Sequence, residues 1–220
     1  MGFDVYGIKP NGHNKPDDPD WEDDKQVKAY YAWQDNTPGA YFRNNVWGWH
    51  PTWDFIHEHC KDIFTTAIED ELIKADSLDD FYNSCHHNDG CVIPKRIALE
   101  ISARLEKLDD KGKLEQWEVE CDIIRERRPK EDCDLCDATG TRKGWEGWHS
   151  EESWLKHHNS LKATDTIPRA SFKWANQMRG CNGCNGTGKK ESFANNYIFA
   201  AENVREFSKF AKLSGGFKIW

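Results

Sequence analysis

Two copies of one cysteine motif constrain this chain more than any other feature of its 220 residues. The first copy starts with Cys133 and Cys136, the second with Cys181 and Cys184, and both follow the pattern C-x-x-C-x-[AG]-x-G. Two cysteines separated by two residues can direct both sulfurs at one ion, and the glycines let the backbone fold back toward the sulfurs. The four thiolates together predict one closed, tetrahedral metal site.

The type of ligand indicates which metal such a site holds. Thiolates favour zinc over hard cations, and rubredoxin-like iron with the same geometry is an alternative. Because all four positions are protein ligands, no position is left for a catalytic water. We therefore predict one structural Zn²⁺ per chain, bound by Cys133, Cys136, Cys181 and Cys184.

The other four of the eight cysteines are scattered along the chain. The segment Met1–Gly7 has neither a basic region nor a long apolar stretch, so we expect no secretion signal and a cytoplasmic, reducing location. In that setting metal ligation is more common than disulfides. A second metal site that includes Cys60, Cys85, His86 and Cys91 is an open alternative, with spacing less regular than that of the paired motifs.

The 44 residues between Cys136 and Cys181 form an insertion that the metal would hold at both ends. Apolar spacing predicts a helical insertion at 141–180 within a zinc-clamped module at 133–188, and a main core built from 1–132 and 189–220. Tryptophan dominates binding hot spots. The insertion is therefore a candidate partner-binding surface through Trp145, Trp148, Trp154 and Trp174.

Composition limits the fold further. With 11 Trp, a hydrophobic fraction of 37% and a mean hydropathy of −0.89, the chain is expected to be soluble and to build much of its core from aromatic rings. No run of about 18 apolar residues predicts a transmembrane helix. The net charge of −8 argues against a general nucleic-acid coat, and the acidic run at 17–24 is interpreted as a solvated loop.

Apolar periodicity predicts a mostly helical α+β fold. A strand at 3–8 is expected to pair with a strand at 217–220 in a small terminal sheet. Helices are predicted to start at Pro51 and Ser77 and to span about 95–109, 114–124 and 202–213. The spans 95–109 and 114–124 are predicted to form an antiparallel hairpin, whose second helix packs through Leu114, Trp117, Cys121 and Ile124.

The paired motifs resemble the cysteine-rich repeats of DnaJ-type chaperones, which are written C-x-x-C-x-G-x-G. In that family the repeats bind zinc in pairs, so the resemblance implies zinc here too. Ala138 stands where the family has the first glycine. The likeness covers about 16 residues and implies no chaperone activity.

A wider likeness extends along the chain in order. It rests on Gly2-Phe3-Asp4-Val5-Tyr6-Gly7, on Tyr41-Phe42-Arg43-Asn44-Asn45-Val46-Trp47, on the paired cysteine turns, and on Asn203-Val204-Arg205-Glu206-Phe207 with Ser214-Gly215-Gly216-Phe217. These strings resemble an uncharacterised family of bacteriophage and prophage proteins. The resemblance implies a small protein that acts inside a bacterial cell on a host macromolecule.

From these observations we predict a non-enzymatic, zinc-stabilised protein-binding factor whose partner is a bacterial host protein. No Walker or Rossmann phosphate loop is present, and an enzyme with an unrecognised site is a lesser alternative. The main alternative is single-stranded nucleic-acid binding, in which cations hold phosphates beside stacking tryptophans. The cations in question are Arg125, Arg127, Arg128, Arg142, Lys143, Lys189 and Lys190.

Overall fold

The structure is a computed structural model that describes residues 2–87, 89–143, 178–181 and 183–219, with the backbone alone at 142–143 and 178–180. The chain divides into two compact units. The larger unit combines Met1–Arg127 with Ala194–Trp220, and the smaller unit is Arg128–Phe193.

Helices and strands alternate along both units. The larger unit contains β1 (Gly2–Gly7), α1 (Asp24–Asn36), β2 (Tyr41–Asn45), α2 (Val46–Glu69), α3 (Leu78–His86), β3 (Val92–Pro94), α4 (Lys95–Asp109) and α5 (Lys113–Arg127). The smaller unit contains β4 (Glu131–Asp132), β5 (Thr141–Lys143), β6 (Met178–Gly180) and β7 (Lys189–Lys190). The larger unit then resumes with α6 (Ala201–Leu213) and β8 (Gly216–Ile219). The predicted α+β mixture of helices with a small sheet is confirmed, and the sheet is antiparallel.

The main sheet has four antiparallel strands in the order β2-β1-β8-β3. The strands β1 and β8, which the sequence predicts to pair, lie side by side with Val5 opposite Ile219. The sheet is larger than predicted, since β2 adds to the free side of β1 and β3 to the free side of β8. Its two central strands therefore come from opposite ends of the described chain.

One face of the sheet packs on the core of the larger unit. Along β1 the side chains alternate, with Phe3 and Val5 buried and their neighbours less so, as expected for a strand with one face inward. Aromatic rings fill much of this core, as the composition predicts: Trp49 and Trp53 are fully buried and stack with ring centroids 5.7 Å apart. Helix α6 adds Phe207, whose ring contacts Trp49 edge-on.

The start of α2 differs from the prediction. Asn45 caps the helix by accepting a hydrogen bond from the Gly48 N–H at 2.9 Å, so the helix begins at Val46 and Pro51 lies inside it. The Asn45 side chain fixes the helix start because it satisfies an amide that has no partner within the helix. Pro51 is the sixth residue of the helix, where it has no N–H to donate to the Trp47 carbonyl. The predicted start at Ser77 is confirmed, because its Oγ accepts the Asp80 N–H at 3.0 Å.

The helical hairpin of α4 and α5 is present, but its second helix packs less than predicted. Leu114 is the buried residue of α5, Trp117 and Cys121 are partly buried against the core, and Ile124 is 59% exposed. The part of α5 from Leu114 to Cys121 therefore packs on the rest of the larger unit. Among the described residues, no helix is both long and apolar enough to cross a membrane.

Candidate metal centre

Each cysteine motif folds into the same turn. In the first, the carbonyl of Cys133 accepts the Ala138 N–H at 3.0 Å. In the second, the carbonyl of Cys181 accepts the Gly186 N–H at 2.9 Å. The turn brings the second cysteine of each pair back over the first, as the two-residue spacing predicts.

The two turns bind each other through matched hydrogen bonds. Cys133 donates its N–H to the Gly188 carbonyl at 2.9 Å, and Cys181 donates its N–H to the Gly140 carbonyl at 2.8 Å. The same exchange of bonds in both directions relates the turns by an approximate two-fold axis. Two short strand pairs, β4 with β7 and β5 with β6, continue the contact beyond the turns.

Glycine is required where the turns touch. A Cβ on Gly140 would lie 2.4 Å from the Gly186 carbonyl oxygen, and a Cβ on Gly188 would lie 2.2 Å from the Ala138 carbonyl oxygen. Both glycines also have positive φ angles, 74° and 75°, which glycine adopts without strain. The glycines of the motif thus let the two backbones approach closely enough to bring the four sulfurs together.

The four cysteines form one buried cluster. Their side chains are at most 6% exposed, and all four Sγ atoms lie within 4.8 Å of one another. The Sγ atoms of Cys133 and Cys181 are 3.8 Å apart, and those of Cys136 and Cys184 are 3.7 Å apart. A tetrahedral zinc with Zn–S bonds of about 2.3 Å requires sulfurs about 3.8 Å apart. These two separations match a tetrahedral ion, and with all four sulfurs within 4.8 Å of one another the residues fit a metal.

The surroundings of the sulfurs act on thiol ionisation in opposite directions. Burial raises the pKa of the Cys136 thiol to about 12. Burial also opposes ionisation of Cys184, but the Gly188 N–H donates to its Sγ at 3.2 Å, and the pKa of Cys184 is lowered to about 7. A bound cation is what would deprotonate all four together.

Side chains around the cluster repeat the two-fold pattern. Thr139 donates its hydroxyl to the Cys136 carbonyl at 2.6 Å, and Thr187 does the same to Cys184. Both threonines directly precede the last glycine of their motif, and the motif pattern assigned them no role. Because the two threonines occupy equivalent positions after each cysteine pair, their role in the turn could have been inferred from the sequence.

The alanine in the first motif provides a test of this geometry. Ala138 has a φ of 60° and Gly186, at the equivalent position, has a φ of 78°. A left-handed conformation costs a residue with a Cβ about 1 kcal/mol, so replacing Ala138 with glycine removes this strain. Part of the stabilisation is offset because an unfolded chain with glycine has more conformational freedom to lose. We expect Ala138→Gly to tighten zinc binding severalfold and Gly186→Ala to weaken it about fivefold, measured by competition with a chromogenic chelator. Weaker binding by Ala138→Gly would contradict the strained turn.

The basic patch predicted beside the metal site is largely paired with acids. Lys189 contacts Asp132, and Lys190 lies 2.6 Å from an Asp134 carboxylate oxygen. In the larger unit Arg125 pairs with Asp122 at 2.9 Å. These acidic partners were missed, although the acids Glu131 and Asp132 before the first cysteine pair and the lysines after the second were visible in the sequence. Of the other predicted cations, Arg127 is exposed and Arg128 half-buried, while the side chains of Arg142 and Lys143 lie outside the described residues.

The predicted partner-binding tryptophans Trp145, Trp148, Trp154 and Trp174 also lie outside the described residues. Only the two ends of the predicted helical insertion are described, and they form the paired strands β5 and β6 rather than helix.

The alternative second metal site is wrong. Cys85 and Cys91 form a disulfide with Cα atoms 5.2 Å apart, which also corrects the prediction of reduced cysteines. Cys60 is buried in the core, and burial raises the pKa of its thiol to about 12. His86 stacks on His50 with ring centroids 3.9 Å apart and lies 3.5 Å from an Asp54 oxygen. Among the described residues, only the four-cysteine group is close enough to hold a metal.

Comparisons with known proteins give no further assignment: no family model, no curated protein and no solved structure matches this chain. The likeness to DnaJ-type repeats and to a phage protein family stays a prediction from the sequence. The class that the fold and site define is a mixed α+β protein with a four-cysteine cluster that could bind a metal.

Proposed function

We propose that the protein is a non-enzymatic protein-binding factor in which one zinc ion stabilises the smaller unit. The metal part of this proposal rests on the four sulfurs and their tetrahedral spacing. Zinc suits four thiolates better than hard cations do, and a site with four protein ligands has the closed form of structural zinc. The ion would then hold β4, β5, β6 and β7 around the paired turns.

The observation that supports a protein partner is the exposed face of α5. Val119 and Ile123 are 58% and 40% exposed, and their four-residue spacing places them on one side of the helix. Ile124, which is 59% exposed, lies on the side of Trp117 and Cys121. A cluster of exposed apolar side chains on a soluble protein is typical of an interaction surface. The acidic and basic residues that alternate along the rest of α5 would surround it with a polar rim.

A protein is favoured over single-stranded RNA because the ion pairs of Lys189, Lys190 and Arg125 reduce the charge available for phosphates. The sequence resemblance to phage and prophage proteins supports a host protein of the bacterial cytoplasm as the partner. We propose that the protein acts on that partner by binding rather than by catalysis.

Affinity capture from a nuclease-treated bacterial lysate tests the α5 surface. We expect the wild-type chain to retain at least one host protein, and Val119→Lys with Ile123→Lys to reduce its recovery at least about tenfold, since apolar anchors contribute more than about 1 kcal/mol each. Quantitative mass spectrometry of the retained proteins measures the change.

The matched control is Leu72→Lys, which adds a charge at an apolar residue that is 39% exposed but lies outside α5. It should retain the same host protein as the wild-type chain. Equal recovery with the double variant would rule out α5 as the docking surface. Recovery of nucleic acid alone from an untreated lysate, lost as salt is raised, would favour the RNA alternative.

A further inference from the structure

The outer face of the main sheet carries a row of polar and aromatic side chains. On β1 the residues between the buried ones are Asp4 and Tyr6. The register places Arg43 of β2 opposite Asp4, and Tyr41 of β2 and Lys218 of β8 on either side of Tyr6. Directly opposite residues in an antiparallel pair point to the same face. The face away from the core therefore presents two tyrosine rings and two cations.

A cleft of about 590 Å³ lies over this face. Its other wall comes from α1 and the loop before it, which contribute Trp21, Tyr30 and Tyr31. The volume falls within the range of about 300–1,000 Å³ that is typical of small-molecule sites. All the residues that line the cleft belong to the larger unit, so the site does not depend on the metal centre.

Aromatic rings form both walls of the cleft. On the sheet, the rings of Tyr6 and Tyr41 have centroids 5.3 Å apart. On the other wall, Trp21 and Tyr30 are 6.1 Å apart in an edge-to-face arrangement. Such rings bind flat aromatic ligands by stacking, with about 1–3 kcal/mol for each nucleic-acid base. A ligand with a planar, unsaturated ring system is therefore the best match to the walls.

The charges in the cleft select for an anion. Its lining contains three cations and two carboxylates, although the whole chain has a net charge of −8. Asp18 pairs with Lys15 at 2.7 Å, while Asp4 accepts the Tyr41 hydroxyl and lies 3.8 Å from Arg43.

Lys218 differs from these paired groups. Within the described part of the chain, no carboxylate oxygen lies within 4.0 Å of its ammonium group. A lysine beside a tyrosine ring at the edge of a cleft suits a phosphate or another anionic group. A cationic ligand is disfavoured by the same charge.

One buried amide adds hydrogen-bonding capacity. Gln34 of α1 lines the cleft although it is only 7% exposed. Its side chain offers both a donor and an acceptor, and the edge of a nucleobase requires that combination. The cleft thus combines planar walls, a lysine with no carboxylate partner among the described residues, and a buried amide. Together these three features match a nucleotide better than other ligands.

We propose that this cleft binds a nucleotide, with the base stacked on the tyrosines of the sheet and the phosphate held by Lys218 and Arg43. This site is separate from the proposed docking surface on α5 and adds a small-molecule function to it. The nucleotide is either free or part of a single strand, because both offer the same base and phosphate.

Isothermal titration calorimetry of the full chain with AMP, GMP, CMP and UMP, and with adenosine, tests the proposal. We expect saturable binding of at least one nucleotide below about 1 mM. Lys218→Ala should weaken that nucleotide about tenfold and leave adenosine unchanged, because only the phosphate contact is lost. Lys111→Ala, which removes the same charge from the turn between α4 and α5, should change neither.

A second variant tests the stacking wall. Tyr31 lies on α1 and is 50% exposed, so Tyr31→Leu should leave the sheet folded. It should weaken nucleotide and nucleoside alike by about fivefold or more. If an oligonucleotide of about five nucleotides binds more tightly than the mononucleotide, the natural ligand is a single strand. Equal affinity would indicate a free nucleotide. No saturable binding of any of the four nucleotides, or full affinity in Lys218→Ala, would overturn the proposal.

Discussion

Replacing Cys181 with serine is expected to release the metal and to unfold the smaller unit. A serine hydroxyl is a poor zinc ligand, and binding free energies for structural zinc are about 10–16 kcal/mol. Most of the stability of a unit this small comes from such a site, and its described buried cluster consists of the four cysteines alone. Zinc content by plasma mass spectrometry should fall from about one per chain to near zero.

Hydrogen exchange locates the effect within the chain. Backbone amides at 131–141 and 183–190 should lose protection in Cys181→Ser, because their hydrogen bonds connect the two turns. The larger unit should remain folded, since no described residue of the smaller unit belongs to its hydrophobic core. Cys121→Ser, at a half-buried cysteine of α5, is the matched control and should keep its zinc. If Cys181→Ser kept one zinc per chain and unchanged amide protection, the proposed site would be refuted. If the wild-type chain contained iron instead of zinc, the metal in the site would be iron.

The second large effect is expected at Trp49, in the core of the larger unit. Its ring is fully buried, stacks on Phe3 at 5.4 Å and on Trp53 at 5.7 Å, and donates its Nε1–H to the Cys85 carbonyl at 3.1 Å. Trp49→Ala leaves a cavity and an unpaired carbonyl, at a cost of about 3–5 kcal/mol. That is a large part of the 5–15 kcal/mol, roughly, by which a domain is stable. Urea denaturation followed by circular dichroism measures the loss.

Trp47→Ala is the comparison within the same helix. Trp47 is 37% exposed and contacts Tyr197 with ring centroids 5.0 Å apart. Partly exposed side chains lose less on truncation, so the expected cost is about 1 kcal/mol or less. If Trp49→Ala and Trp47→Ala lowered the free energy of unfolding equally, the placement of Trp49 in the core and Trp47 near the surface would be wrong.

The parts of the fold that the sequence predicted well are those specified by neighbouring residues. Helix α4 follows Pro94 and shows apolar residues at helical spacing, and α6 ends before Gly215, whose φ of 64° suits a helix terminus. The metal cluster was predicted from two copies of one local motif. In each case the signal lies within about 15 residues.

The parts that were missed depend on contacts between distant residues or on weak local signals. Helix α1 buries only Tyr30 and Gln34, so it shows little apolar periodicity, and Asp23 of the acidic run proves to be its cap. Strand β2 is defined by its pairing with β1, and the sequence at 41–45 alone did not predict a strand there. The nucleotide cleft combines β1, β2, β8 and α1, and no stretch of sequence contains more than a few of its residues.

The strand order has a consequence for the order of events during protein synthesis. Strand β8 lies between β1 and β3, although almost the whole described chain separates it from β1. While the ribosome is still producing the smaller unit, β1 and β3 each have an open edge, and unpaired edges invite contact with other chains. The centre of the sheet can close only after residues 216–219 have left the ribosome, so the larger unit completes its folding after translation has passed the metal site.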